Sequence, residues 1–260
     1  MSERLEELFT RCRAEGRAAL IGYLPVGFPS YDLSVEAMLA MAEAGVDAIE
    51  VGIPYTDPGI DGPVIQVAVD AALRGGSRVK HVFDAVRAVS PHVPTVLMTY
   101  WNPIEKYGPM RFAADLKAAG GEGAITQDLI PEEASAWLEA ARAEDLAPVF
   151  VVAPSSTDAR LAGVGAVSRG FVYAASTMGV TGTRSQVGDR AEELVTRTRA
   201  LTDLPVCVGL GVSNGDQAAV VGRYADGVIV GSALVRALQD EGVDGVRRLT
   251  EDLAAGVRRR

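Results

Sequence analysis

Residue types that build metal centres and disulfide frameworks are scarce in this chain. Its 260 residues include only two cysteines, Cys12 and Cys207, and two histidines, His81 and His92. Two cysteines without a CxxC spacing are too few for a disulfide framework or a structural zinc cluster. Neither histidine falls at the end of a predicted strand, so we expect neither to act as a ligand or a base. The sequence therefore predicts no metal site and a reducing, cytoplasmic setting.

Long apolar runs and an excess of positive charge are also missing. No stretch approaches the roughly 20 apolar residues that a membrane-spanning helix needs. The amino-terminal segment carries scattered charges and lacks the apolar core of a signal peptide, so it reads as an amphipathic helix. A net charge of −9 disfavours contact with a phosphate backbone. We therefore expect neither a membrane nor a nucleic acid as a partner.

Material for a large core is plentiful. Hydrophobic residues make up 48% of the chain and charged residues 23%, a balance typical of a compact globular protein. No Pro/Gly/Ser-rich linker, low-complexity tract or internal repeat divides the sequence. Residues 1–260 are therefore expected to form one domain, a length common among α/β barrels.

Short β-rich runs alternate with longer segments of helical period. The eight runs are Ala18–Leu24, Ala48–Val51, Thr95–Thr99, Ala124–Thr126, Pro148–Val152, Phe171–Ala174, Pro205–Val208 and Gly227–Val230. Helices are predicted between them at Leu33–Ala44, Val64–Leu73, Val79–Val89, Pro131–Ala141, Ala191–Leu201 and Asn214–Val221. The runs are continuously apolar, as in parallel strands covered on both faces.

Eight such units predict an α/β fold, a single-domain TIM (β/α)8 barrel with an extra N-terminal helix. A doubly wound open sheet is the alternative. That fold is usually marked by a GxGxxG turn after its first strand, and this chain has none there.

Two carboxylates flank the loop that follows the second predicted strand. Glu50 lies in an apolar run, where an ionised carboxylate is rarely left without a partner or a function. Asp61 lies beyond the turn. A buried acid and a loop acid can hold different protonation states, which permits acid and base chemistry near neutral pH. The structural alternatives are a backbone-bound carboxylate for Glu50 and a helix cap for Asp61, but their place at one end of a barrel favours catalysis.

Three glycine-rich segments follow the last three strands, at residues 179–182, 209–213 and 230–233. Glycine lets backbone N–H groups approach an anion, and a helix N-terminus adds a favourable dipole. Loops after strands seven and eight commonly bind phosphate in barrels. We therefore expect a phosphate site here, with residues 176–188 forming a mobile lid.

The motifs IGYLPVGFPS, IEVGIPYTDPGIDGPVIQ, MTYWNPIEKYG, ITQDLIPEEA, FVYAASTMGVTGTRS, VGLGVSN and ADGVIVGSALV carry a family resemblance. From about Ala18 to the final helix, the chain resembles the alpha subunits of tryptophan synthase, in their actinobacterial form. The resemblance implies a barrel that cleaves indole-3-glycerol phosphate to indole and glyceraldehyde 3-phosphate. It further implies an α2β2 assembly in which indole passes to a beta subunit. That partner holds pyridoxal phosphate, and this subunit needs no cofactor.

The resemblance also implies roles for individual residues. Glu50 and Asp61 match the catalytic pair: Glu50 would protonate indole C3 and remove the glycerol hydroxyl proton, while an ionised Asp61 would accept the indole N–H. The implied substrate-binding positions include Tyr173 and Thr181, and Phe28, Tyr100 and Leu129 are candidates for the slot around the indole ring. Phosphate-binding positions are Gly182, Gly211, Gly231 and Ser232.

Departures from the common family pattern occur at Thr177, Gly59, Ile60 and Gln127, the last replacing a more usual small residue or proline. They bear on the lid and on the interface with the beta subunit.

Three other functions of the same barrel remain open: a stand-alone lyase that releases free indole, a regulatory subunit with little turnover, and a phosphosugar isomerase. Indole release with and without a beta subunit separates them.

Overall fold

The computed structural model describes residues 3–176, 184–209 and 211–259, without the side chains of residues 184–189. Eight parallel strands form a closed barrel in which each strand pairs with the next and the eighth pairs with the first. They are β1 (Ala19–Pro25), β2 (Ala48–Gly52), β3 (Thr95–Thr99), β4 (Gly123–Thr126), β5 (Ala147–Val152), β6 (Val172–Ala175), β7 (Val206–Gly209) and β8 (Gly227–Val230). The predicted TIM barrel is confirmed, and each strand lies within one residue of its predicted bounds.

Helices cover the outside of the barrel. They are α1 (Glu3–Ala14), α2 (Tyr31–Ala44), α3 (Pro63–Arg74), α4 (Val79–Val89), α5 (Trp101–Tyr107), α6 (Pro109–Ala118), α7 (Ser135–Ala143), α8 (Asp158–Val167), α9 (Arg184–Arg199), α10 (Gly215–Gly222) and α11 (Ser232–Val257, kinked at Gly242). Across the described ranges, no helix has both the length and the apolar character needed to cross a membrane.

Two predicted helices begin elsewhere in the structure. Pro131–Glu133 forms a separate 3-10 turn, because the Glu133 and Ala134 amides bond three residues back, and α7 begins only at Ser135. Helix α9 begins seven residues before the predicted Ala191. Its first turns are polar and carry no apolar period, so the sequence pattern missed them. Residues 184–188, predicted as part of a lid, are therefore helical.

The N-terminal helix closes one end of the barrel. Its buried residues Leu5, Leu8, Phe9 and Cys12 pack against inward-facing side chains of the strands. The Phe9 and Phe171 rings lie 5.8 Å apart between centroids. Because this end is filled with apolar side chains, a ligand can enter only from the carboxyl ends of the strands.

A buried ion pair joins Arg17, which precedes β1, to Asp47, which precedes β2. Arg17 donates to both oxygens of Asp47, with Nη1–Oδ2 at 2.7 Å and Nη2–Oδ1 at 2.9 Å, and the Leu20 amide donates at 2.9 Å. The side chains of Arg17 and Asp47 are only 8% and 5% exposed. Burial alone would raise the pKa of Asp47, but the hydrogen bonds from Arg17 and Leu20 outweigh it and the pKa is lowered. This acid is therefore structural.

Replacing Asp47 by asparagine should lower the free energy of unfolding by about 3 kcal/mol at neutral pH, because the buried Arg17 loses its buried counter-charge and keeps only the exposed Glu15, which its Nε contacts at 2.6 Å. Urea denaturation measures the change. Asp70→Asn is the matched control, since the Asp70–Arg74 pair is exposed and such pairs contribute at most about 0.5 kcal/mol. Equal small losses in both variants would show that the buried pair does not stabilise the fold.

Candidate active site

Glu50 lies on the inner face of the barrel, near its open end. It pairs in register with Tyr23 of β1 and Val96 of β3, two residues beyond the inward-facing Ala48. The side chain is fully buried, and within the described residues neither carboxylate oxygen has a hydrogen-bond partner. Burial raises the pKa of Glu50 to about 8. This carboxyl group is therefore protonated near neutral pH and can donate a proton.

Asp61 lies in the loop between β2 and α3, in a different environment. The Tyr100 hydroxyl donates to Asp61 Oδ2 at 3.0 Å and accepts from the amides of Ile60 and Asp61 at 3.0 and 3.3 Å. The Gln66 side chain donates to the Asp61 carbonyl at 2.8 Å. Burial raises the pKa of Asp61, while hydrogen bonds from Tyr100 and Gln127 act to lower it. Unlike Glu50, this carboxylate has donors that stabilise its charged form.

Two buried tyrosines, Tyr23 and Tyr173, each pack against a glycine of the neighbouring strand. The hydroxyl of Tyr173 would lie 2.4 Å from a Cβ placed on Gly209, and the hydroxyl of Tyr23 would lie 2.6 Å from a Cβ on Gly52. A side chain at either glycine would displace the tyrosine beside it. The Tyr23 ring also approaches Gly231, 3.2 Å from a Cβ placed there, so it spans from β2 to the start of α11.

Tyr23 is a site residue that the sequence analysis missed. Burial, followed by the nearby carboxylates of Asp61 and Glu50, raises its pKa well above the usual value, and the pKa of Tyr173 is raised in the same way. Both hydroxyls therefore stay protonated. The alternation of inward positions along β1, from Ala19 through Ile21 to Tyr23, could have identified Tyr23 as facing the same interior as Glu50.

The structure places three of the predicted phosphate positions in the loops after β7 and β8. Gly211 has a φ of +69°, a left-handed conformation that favours glycine. Gly231 precedes α11 and makes no side-chain capping bond, and Ser232 is the first residue of that helix. The amides at this helix N-terminus can therefore receive an anion. Gly182, Thr181 and Thr177 lie outside the described residues.

The three residues predicted to surround the indole ring, Phe28, Tyr100 and Leu129, lie in loops after β1, β3 and β4. Phe28 and Leu129 are buried in the loops after β1 and β4 and belong to the apolar core. Tyr100 does more than offer an apolar surface, because its hydroxyl ties Asp61 and the loop backbone to the end of β3. Gly59 and Ile60, two of the departures from the family pattern, lie on the outside of this loop, and the Ile60 side chain is 57% exposed.

A cavity of about 770 Å³ opens beside this loop. Ile60 and Gln127 line one side, and Val151 at the end of β5 and Ala175 at the end of β6 line the floor, with α9 opposite. Its volume falls within the range of pockets that hold small organic ligands. This cavity lies at the carboxyl ends of the strands, where a barrel site is expected, and neither Glu50 nor Asp61 is among its lining residues.

His81, which was predicted to lie far from the strand ends, is near the carboxyl end of β1 in the structure. It lines a small cavity with Gly27 and Pro29 of the loop after β1, because α4 begins at the rim of the barrel and runs back to β3. Its Nδ1 accepts the Arg78 amide at 3.2 Å, which caps the helix. In the described part of the chain, no group of three or more His, Cys, Asp or Glu residues could hold a metal ion.

Known proteins match this chain over almost its whole length, both in sequence and in structure. A family model described as tryptophan synthase alpha chain matches residues 9–258. The tryptophan synthase alpha chain of Mycobacterium ulcerans is 59% identical over 260 residues, covering 100% of this chain and 96% of the relative. A chain of M. tuberculosis tryptophan synthase in its aminoacrylate-bound form superposes with a TM-score of 0.92 at 55% identity, covering 98% and 99% of the two chains. For the alpha subunit of Legionella pneumophila, the TM-score is 0.89 at 28% identity, with 98% of each chain covered.

Glu50→Gln should change how stability depends on pH. The carboxyl group is neutral in the folded protein up to about pH 8 but ionises near 4.5 when unfolded, so wild type loses stability as pH rises between these values. Relative to wild type, Glu50→Gln should match at pH 4 and be more stable at pH 9, by on the order of 3–5 kcal/mol.

Urea unfolding at several pH values measures this difference. Glu139→Gln, an exposed position on α7, is the matched control for the chemical change. A difference between wild type and Glu50→Gln that stays constant from pH 4 to pH 9 would contradict the assigned protonation state of Glu50.

Proposed function

We propose that Glu50 and Asp61 perform the acid–base steps of the alpha reaction in this chain, which belongs to the tryptophan synthase alpha chain family. The chain is a carbon–carbon lyase that cleaves indole-3-glycerol phosphate to indole and glyceraldehyde 3-phosphate. Its partner is a beta subunit, which converts the indole to tryptophan. A stand-alone lyase and a regulatory barrel are not favoured.

The observation that carries this proposal is the buried, unpartnered Glu50. The bond between indole C3 and the glycerol chain can break only after C3 has accepted a proton, which creates an indolenine that takes up the bond electrons. A carboxyl group with a pKa of about 8 holds that proton at neutral pH. After donation, the same carboxylate is a base in an apolar site. It can then take the proton of the glycerol hydroxyl as the carbonyl of glyceraldehyde 3-phosphate forms.

Asp61 supplies the complementary charge. Protonation of C3 places positive charge on the indole nitrogen, and an ionised carboxylate that accepts the N–H stabilises it. Hydrogen bonds from Tyr100 and Gln127 favour the charged form of Asp61 against the effect of burial. The two acids therefore divide the work according to environment, one kept neutral and the other stabilised as an anion.

The phosphate end of the substrate has a matching site at the end of β8, which is separated from β2 only by β1. Gly231 and Ser232 form the start of α11, where backbone amides and the helix dipole favour an anion, and Gly211 lies in the preceding βα loop, after β7. The ring of Tyr23 lies between Gly231 and Gly52 and so lines the path from the phosphate to the carboxylates. Gly182 and Thr181 are proposed to complete this site from the loop after β6.

Further features of the assembly are also part of the proposal. We expect an α2β2 complex in the cytoplasm, with pyridoxal phosphate in the beta subunit and no cofactor in this one. In the chemistry above, the indolenine takes up the electrons of the broken carbon–carbon bond, and the remaining steps are proton transfers that carboxylates can perform. Residues 1–260 are proposed to act as one domain.

Indole release from indole-3-glycerol phosphate in the complex with a beta subunit tests the catalytic roles. Glu50→Gln keeps the side-chain shape but cannot cycle a proton, so kcat should fall at least about 100- to 10,000-fold. Asp61→Asn should also lower kcat strongly, because an amide cannot carry the balancing charge. Glu139→Gln is the control and should keep wild-type turnover.

Comparable turnover by Glu50→Gln and wild type would show that another group delivers the proton. Assays without the beta subunit address the remaining alternatives. Strong stimulation by the partner supports the synthase subunit, whereas full activity alone would support a lyase that releases free indole.

A further inference from the structure

The loop after β4 supports the loop after β3 through a side-chain carboxylate. Asp128 lies two residues beyond β4, and its Oδ1 accepts the Trp101 backbone N–H at 2.7 Å. Trp101 is the first residue of α5, and the preceding Tyr100 makes no side-chain capping bond. Since the first amides of a helix have no acceptor within the helix, this one takes its acceptor from the neighbouring strand end. Asp128 therefore fixes the start of α5.

The peptide group between Tyr100 and Trp101 is held at both of its polar atoms. Its N–H donates to Asp128, and its carbonyl oxygen accepts the Thr99 hydroxyl at 3.0 Å. The bond to Asp128 is charge-assisted, and such bonds are roughly twice as strong as those between neutral groups. A peptide group is planar, so two contacts at its edges set the backbone rotation on the carboxyl side of Tyr100. The direction of the Tyr100 side chain therefore depends on both contacts.

Tyr100 carries this constraint to the loop acid. Its hydroxyl donates to Asp61 Oδ2 at 3.0 Å and accepts from the Ile60 amide at 3.0 Å. The residue is buried, and its ring lies 5.1 Å from that of Tyr55 between centroids. Because the hydroxyl is at the far end of a rigid ring, a small rotation of the Tyr100 backbone moves it beyond hydrogen-bond distance of Asp61. The carboxylate is then left without this donor.

Asp128 itself lies outside the barrel. The residue before it, Gln127, lines the cavity at the strand ends, whereas Asp128 is exposed. Successive residues of an extended chain point to opposite sides, which explains the difference. An acid on the outer side does not touch the substrate. Its influence on the reaction must therefore pass through the start of α5 and Tyr100.

We propose that Asp128 is a positioning residue for the alpha reaction, because its contact with the Trp101 amide keeps the Tyr100 hydroxyl in place on the Asp61 carboxylate. This inference rests on the proposed role of Asp61 as the acceptor of the indole N–H. The contact needs an acceptor at position 128 but no proton transfer. The side-chain oxygen of asparagine can accept the same N–H, whereas alanine cannot.

Indole release by Asp128→Ala and Asp128→Asn, measured with and without a beta subunit, tests the proposal. Loss of a helix cap should lower kcat of Asp128→Ala by about 3- to 10-fold with little change in KM, since Asp61 acts in the transition state. Asp128→Asn should keep kcat within about twofold of wild type, because it retains the acceptor. Asp84→Ala removes an exposed carboxylate that pairs with Arg87 on α4, and this control should keep wild-type kcat.

Tyr100→Phe shows whether the effect passes through the tyrosine hydroxyl. This variant should itself lower kcat because Asp61 loses a donor, and adding Asp128→Ala should then lower kcat no further. Equal losses from Asp128→Ala in the wild-type and Tyr100→Phe backgrounds would overturn the inference. So would equal losses in Asp128→Ala and Asp128→Asn, or a loss confined to the complex, which would place the effect at the interface with the beta subunit. Urea unfolding of each variant measures its stability separately from its activity.

Asp61→Asn separates this inference from the role on which it rests. High activity of Asp61→Asn would overturn the role of Asp61 and this inference with it. An inactive Asp61→Asn, combined with wild-type kcat in Asp128→Ala, would overturn the inference about Asp128 and leave the role of Asp61 intact.

Discussion

The mechanism that we propose for this barrel depends on the desolvation of one carboxyl group. Glu50 is fully buried, and no donor in the described part of the chain compensates its charge. A charged carboxylate without partners is strongly disfavoured in such surroundings, so the group remains protonated instead. The apolar filling of the barrel and the N-terminal helix that closes its other end keep water from Glu50 on that side. The fold therefore keeps Glu50 neutral by withholding hydrogen bonds, as the proposed role of proton donor requires.

Asp47 shows the opposite outcome for a buried acid in the same molecule. Both Asp47 and Glu50 belong to the β2 region and both are buried, yet Arg17 and the Leu20 amide lower the pKa of Asp47 while burial raises that of Glu50. Burial alone therefore does not determine the protonation state; the number and charge of the donors decide it. Asp61 is intermediate: it is half-buried and accepts a hydrogen bond from the neutral Tyr100 hydroxyl, which suits the charged role that we propose for it.

Much of this arrangement could be predicted from local sequence. Continuous apolar runs marked the eight strands, and the position of Glu50 within one of them indicated a buried acid. Contacts between distant loops could not be predicted in this way, because nothing in the sequence pattern links Tyr100 to Asp61. Tyr23 was missed because it lies inside an apolar run and looks like core, although strand alternation places it beside Glu50. The start of α9 was missed because its first turns are polar.

The most direct test of this account is the pKa of Glu50 itself. In protein carrying carbon-13 at the glutamate side-chain carboxyl carbon, the signal that disappears in Glu50→Gln identifies this group, and its chemical shift can be followed from pH 4 to pH 10. We expect a titration midpoint near 8. A midpoint near the ordinary value of 4.5 would show that Glu50 is ionised at neutral pH and cannot be the proton donor.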